Sequence, residues 1–187
     1  LGSVEVAGHA IALKLASLTF MVPLGLSVAA SVRVGHAIGR GDLDSMRRAG
    51  WTSFALGAGF MASCGAVFAL FPAPLARAFT PDAAVVAMAA TLLPIAAVFQ
   101  VFDGLQAVGF GVLRGTGDTR FPLVINLIGY YVVGLPVGWL LTFRLGAGPR
   151  GLWVGLCTAL FLVASLLVGR VWTRFRGEIR PLALESS

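Results

Sequence analysis

Apolar positions in this chain neither alternate nor mark out one face of a helix; they run together. Five runs reach the length of about 20 mostly apolar residues that a helix needs to cross a bilayer core: residues 8–32, 51–71, 83–113, 121–143 and 151–169. Lys14 is the one charge in the first run and Asp103 the one charge in the third; the other three runs carry none. A backbone in hydrocarbon must satisfy its own hydrogen bonds, and a continuous apolar run does so as a helix. The pattern therefore predicts an all-α membrane protein with five transmembrane helices. They form one bundle over residues 1–175, with residues 176–187 as a cytoplasmic tail.

Composition narrows the class. Hydrophobic residues make up 58% of the 187 positions and charged residues 12%, about half the charged share of a soluble domain. Neither a soluble globular domain nor a disordered chain has this balance. The formal charge of +6 would suggest nucleic acid as a partner in a soluble protein. In a chain this apolar it reflects basic residues held on one side of a membrane. Ten arginines (33, 40, 47, 48, 114, 120, 170, 174, 176 and 180) fall on one side of the five spans, against Arg77, Arg144 and Arg150 on the other. The arginine-rich side, with the C-terminus, is predicted to be cytoplasmic and the N-terminus external. Leu1 opens the chain without a charged leader, which reads as an internal piece of a larger protein.

Residues at the span ends agree with these boundaries. Trp51, Trp139, Trp153 and Trp172 all fall there, where amphipathic rings favour the headgroup region. Glycines recur four apart at Gly35/Gly39, Gly111/Gly115, Gly134/Gly138 and Gly151/Gly155, the spacing of close helix packing. The last two pairs lie well inside spans. Pro23, Pro94 and Pro136 each remove a backbone donor within a span and invite a bend.

Few residues offer chemistry. Asp103 is held in an apolar run at a cost of roughly 2.5–3.5 kcal/mol on insertion scales. Such a residue either faces a wet cavity and handles a proton or cation, or is a buried structural aspartate. Gln100 and Gln106, three residues to either side, share with it a polar stripe about 120° wide. Lys14 either snorkels to the external interface or pairs with Asp103. Asn126, Tyr130 and Tyr131 line a cavity or hydrogen-bond between helices. The turn at residues 114–122 lacks a Walker lysine and follows no strand, so it is not a phosphate loop. It predicts Asp118 or Thr119 as a helix cap, with Pro122 in the first turn. His9 and His36 lie at opposite ends of one span, and Cys64 and Cys157 lie in apolar runs, so no metal site or disulfide framework is predicted. No catalytic cluster is discernible, and the chain does not read as an enzyme or as needing a cofactor.

Three blocks of the first span, residues 8–13, 20–27 and 33–36, resemble the C-terminal half of multidrug and toxic compound extrusion (MATE) transporters. So do Phe99-Gln100-Val101-Phe102-Asp103-Gly104-Leu105-Gln106 and the turn from Leu113 to Pro122. The spacing of the blocks also matches, over nearly the whole chain, most like the NorM branch. The resemblance implies most of the C-terminal lobe of a twelve-helix, two-lobe transporter of the inner (plasma) membrane. Its partners would be small cationic amphipathic substrates, the lipid bilayer and the remaining helices of the same transporter. Export would be coupled to inward Na+ or H+.

The resemblance also implies that Asp103 binds the coupling cation. Gln100, Gln106, Lys14, Asn126 and Tyr130 would support it or line the cavity. Lys14 departs from the neutral polar residue expected at its place, and the family's acidic partner on the preceding helix would lie upstream of Leu1. A related flippase for lipid-linked saccharides is the alternative within transport; a truncated, non-transporting remnant is the alternative outside it.

Overall fold

The computed structural model describes residues 2–177; of the tail expected over 176–187, everything beyond Gly177, Arg180 included, lies outside the described residues. Five helices are long and apolar enough to cross a membrane. They are α1 (Ser3–Gly39), α2 (Leu43–Leu70), α4 (Ala83–Gly115), α5 (Arg120–Arg144) and α6 (Pro149–Arg176). The short α3 (Pro72–Arg77), which the apolar pattern does not predict, lies in the connection between α2 and α4.

Helix starts are set by side chains that satisfy the first free N–H groups. Asp42 accepts from the backbone N–H of Ser45 at 2.9 Å to begin α2, and Asp82 accepts from Ala84 at 2.8 Å and Val85 at 3.3 Å to begin α4. The turn before α5 works differently from the expected cap. Thr119 stands at the cap position without a side-chain bond, and Asp118 is committed to α6. There its Oδ2 accepts from Arg170 Nε at 2.9 Å and from Arg174 Nε and Nη2 at 3.1 and 3.0 Å. Gly117, at φ +78°, supplies the left-handed residue that swings Asp118 round to them.

Helix α4 is the centre of the bundle, packed against α1, α2 and α6. Its contact with α1 is backbone on backbone: a methyl group at Gly111 would stand 2.1 Å from the Ser27 carbonyl oxygen, and one at Gly115 2.7 Å from that of Ser31. The pair near the span end, rather than the two central ones alone, thus sets a crossing. Helices α5 and α6 meet in the same way, with a Cβ on Gly155 falling 2.5 Å from Gly138. Gly39 faces open space and takes no part.

The apolar core is split in two. One cluster, containing Ile11, Leu15, Phe68, Leu92, Leu93 and Trp153, lies toward the arginine-poor end. The other, containing Val34, Met46, Phe54, Val112, Leu167 and Phe175, lies toward the arginine-rich end. The aromatic girdle holds in part. Trp139 and Trp172 are half exposed, but Trp153 is 1% exposed and turned into the core, where its ring meets Phe99 at 5.6 Å. Position at a span end does not decide which way a ring points; the neighbouring helix does.

Helix α5 is not uniformly wound. Ile128–Gly134 and Leu140–Arg144 are π-helical, flanking an α-helical turn at Leu135–Trp139 that contains Pro136. Pro136 has no N–H to return to the carbonyl of Val132, and wider turns on either side accommodate the break in the ladder.

Candidate functional site: a polar layer between two apolar clusters

Between the two clusters, where α1 and α4 pass mid-height, the buried side chains turn polar. Gln100 is fully buried, and its Oε1 accepts from the Thr19 hydroxyl at 2.5 Å, joining α4 to α1. Its Nε2 has no partner among the described residues, an unsatisfied buried donor of the kind folded interiors seldom keep. Two turns further along α4, Gln106 reaches the other way. Its Nε2 donates to Asn126 Oδ1 at 2.9 Å, and the Tyr130 hydroxyl donates to its Oε1 at 3.3 Å, joining α4 to α5.

Asp103 lies between these two bridges, half-buried. No hydrogen bond or ion pair reaches its carboxylate among the described residues. The stripe of Gln100, Asp103 and Gln106 is therefore real as geometry, with its two amides spent on opposite neighbours and the carboxylate left between them. Lys14 does not join it. That residue is exposed on α1 and makes no ion pair with Asp103.

Asn126 and Tyr130 also line a cavity of about 560 Å³ between α5, α6 and the first turns of α1, together with His9, Tyr131 and Leu152. A mostly apolar, aromatic wall with a few convergent polar groups is what a small amphipathic molecule requires. Gln106 lies between cavity and carboxylate. Its amide touches the two cavity-lining residues, and its backbone is one turn from Asp103. No group of three or more His, Cys, Asp or Glu side chains suited to a metal occurs among the described residues.

The residues not foreseen are Thr19 and His9. Thr19 lies four positions before Pro23, the place whose carbonyl loses its helical donor, and that offset is a readable signal of local polarity. His9 accepts from the Trp153 indole N–H through Nδ1 at 3.1 Å; nothing in the spacing of the two residues points to it.

Five membrane-length helices, a mid-height polar layer and an unpartnered carboxylate define a polytopic helical membrane protein with an internal polar site. The profile of the MatE family matches residues 1–140, and the chain belongs to that family. A probable multidrug resistance protein NorM of Mesorhizobium japonicum is 49% identical over 182 residues, covering 95% of this chain and 38% of its own length. The multidrug resistance protein NorM of Burkholderia vietnamiensis is 46% identical over 175 residues, covering 91% of this chain and 38% of its own length. The crystal structure of the eukaryotic MATE transporter AtDTX14 superposes with a TM-score of 0.85 at 28% identity, covering 92% of this chain and 39% of that one. The chain thus spans about two-fifths of the length of the relatives it matches.

Proposed function

We propose that the chain forms part of a secondary active antiporter of the inner membrane, exporting cationic amphipathic compounds in exchange for H+ or Na+, with Asp103 as the coupling carboxylate. The observation that carries the reading is Asp103 itself: an acidic side chain in the polar layer, without a cation partner among the described residues. An inward cation gains about 2.3 kcal/mol per 100 mV of membrane potential. A carboxylate that alternately holds that cation and releases it can couple the gain to export, provided occupancy favours one arrangement of the bundle. Gln106 is placed to relay occupancy of Asp103 to Asn126 and Tyr130, and so to the cavity wall. Relatives named as multidrug resistance proteins support a broad range of substrates. The arginine asymmetry supports a cytoplasmic C-terminus.

The deciding experiment replaces Asp103 with Asn in the protein expressed from its complete reading frame. Ion-driven efflux from proteoliposomes is expected to fall to background, with membrane insertion and folded yield retained. Efflux at the unmodified rate would remove Asp103 from the mechanism.

A further inference from the structure

A second feature, basic in character, lies away from the polar layer. At the arginine-rich end, α1 and α2 diverge around a crevice of about 600 Å³. Its mouth carries Arg33 from α1, Arg40 from the turn just after it and Arg48 from α2, together with His36. Leu26 and Ala29 from α1 and Leu56 from α2 supply an apolar strip along it, beside the hydroxyls of Ser45, Thr52 and Ser53. Arg33 and Leu26 are seven residues apart on one helix, so the strip extends roughly 10 Å inward from the charged mouth.

Arg114, Arg120 and Arg176 at this end form no ion pair among the described residues, but the arginines that line the crevice are Arg33, Arg40 and Arg48. Arg170 and Arg174 share the one carboxylate of Asp118, and Arg47 lies 3.6 Å from Asp44. Arg33, Arg40 and Arg48 form no ion pair among the described residues, and Arg48 only donates to Ser45 Oγ at 3.1 Å. The nearby carboxylate, Asp42, is engaged in capping α2. Three exposed guanidiniums line one opening with Asp42 as the carboxylate near Arg40 and Arg48, which leaves a net positive charge.

We propose that this crevice binds an anionic phospholipid, with its phosphate held by Arg33, Arg40 and Arg48 and an acyl chain laid against Leu26, Ala29 and Leu56. Charge complementarity selects the head, and the apolar strip selects a lipid over a free anion. With the arginine-rich end read as cytoplasmic, the mouth also lies at the leaflet surface where anionic lipids concentrate and basic pockets between helices collect them. The site is independent of the antiport reading, because no residue of the polar layer contributes to it.

The test is native mass spectrometry of the purified protein, expressed from its complete reading frame, titrated with phosphatidylglycerol. Phosphatidylcholine, glycerophosphoglycerol and inorganic phosphate serve as comparison probes. Phosphatidylglycerol is expected to bind at least about tenfold more tightly than any of the three. The triple variant Arg33→Gln/Arg40→Gln/Arg48→Gln should abolish that preference. Ala29→Trp, which obstructs the strip and keeps every charge, should weaken phosphatidylglycerol binding by a similar factor. Arg77→Gln/Arg144→Gln/Arg150→Gln, which removes equal charge at the opposite end, should leave it within about twofold. Equal losses from both triple variants, an Ala29→Trp protein that binds normally, free phosphate binding as well as the lipid, or a crevice closed to lipid by another segment of the protein would each overturn the proposal.

Discussion

Trp153 donates its indole N–H to Nδ1 of His9 across 3.1 Å, fastening the first turns of α6 to those of α1 over a separation of 144 residues. The indole is buried, so an unmet N–H there is costly. His9→Phe should destabilise the protein by about 1–3 kcal/mol, and His9→Gln, which restores an acceptor, should recover part of that loss. Denaturant titration in detergent, followed by tryptophan fluorescence, measures both.

Asp118 is 7% exposed and shared by two arginines whose side chains are 36% and 41% exposed. Burial acts first, raising its pKa, but the hydrogen bonds and charges of Arg170 and Arg174 outweigh it and hold the carboxyl below its ordinary value. Because the folded pKa lies below the unfolded one, the stabilisation is fully present above about pH 4 and is lost as pH falls through the folded value. Thermal stability contributed by this latch should be flat across neutral and mildly acidic pH and decline only below that. The two partly solvated pairs together are worth about 1 kcal/mol, so Asp118→Asn should lower the melting temperature by about 2–4 °C. A double-mutant cycle with Arg174→Gln should give a non-zero coupling.

Glycines at helix crossings should be intolerant, and those facing open space permissive. Gly111→Ala sets a methyl 2.1 Å from a carbonyl oxygen, and Gly155→Ala sets one 2.5 Å from another helix backbone. Each must move a helix, at a cost of about 1–3 kcal/mol or more. Gly25→Ala and Gly59→Ala, with nothing within 4 Å, should be neutral or gain about 0.5–1 kcal/mol from helix propensity. Steric-trap or denaturant unfolding of the four variants separates the two groups.

Under antiport, Gln106→Leu breaks both bridges to α5 at once. Its efflux is expected to keep the substrate range but lose its dependence on the ion gradient, whereas Tyr130→Phe, which removes one bond of 3.3 Å, should retain most of it. Drug efflux measured across a series of imposed sodium and pH gradients tells the two apart.

How much of this was legible in the sequence follows from the solvent. In hydrocarbon a single segment satisfies its own backbone only as a helix, so runs of about 20 apolar residues were enough to count the spans, and a lone carboxylate singled out Asp103 as the candidate. Partners were another matter. Thr19 meets Gln100 because α1 and α4 cross at Gly111, and the rotation of each helix about its axis is set by that contact rather than by any periodicity. The same holds for Trp153, which sits where a headgroup ring was expected and points inward because Phe99 and His9 receive it. Of the two caps expected, Asp118 or Thr119, Thr119 holds the position, and Asp118 is claimed by two arginines more than fifty residues downstream on another helix. Local rules placed the turn and could not reach that partner.

The mixed winding of α5 has a geometric result for the cavity it lines. Asn126, Tyr130, Gly134 and Gly138 all face that space, each four residues after the last. At 3.6 residues per turn, four residues overshoot a full circle by about 40°, so three such steps on a plain α-helix would wander through about 120°. A π-turn is wider, and the same step falls short of a circle, turning the row back. Alternating the two windings works like a vernier: each corrects the drift of the other. The row stays on one meridian, and a helix that would otherwise present a spiral presents a straight wall.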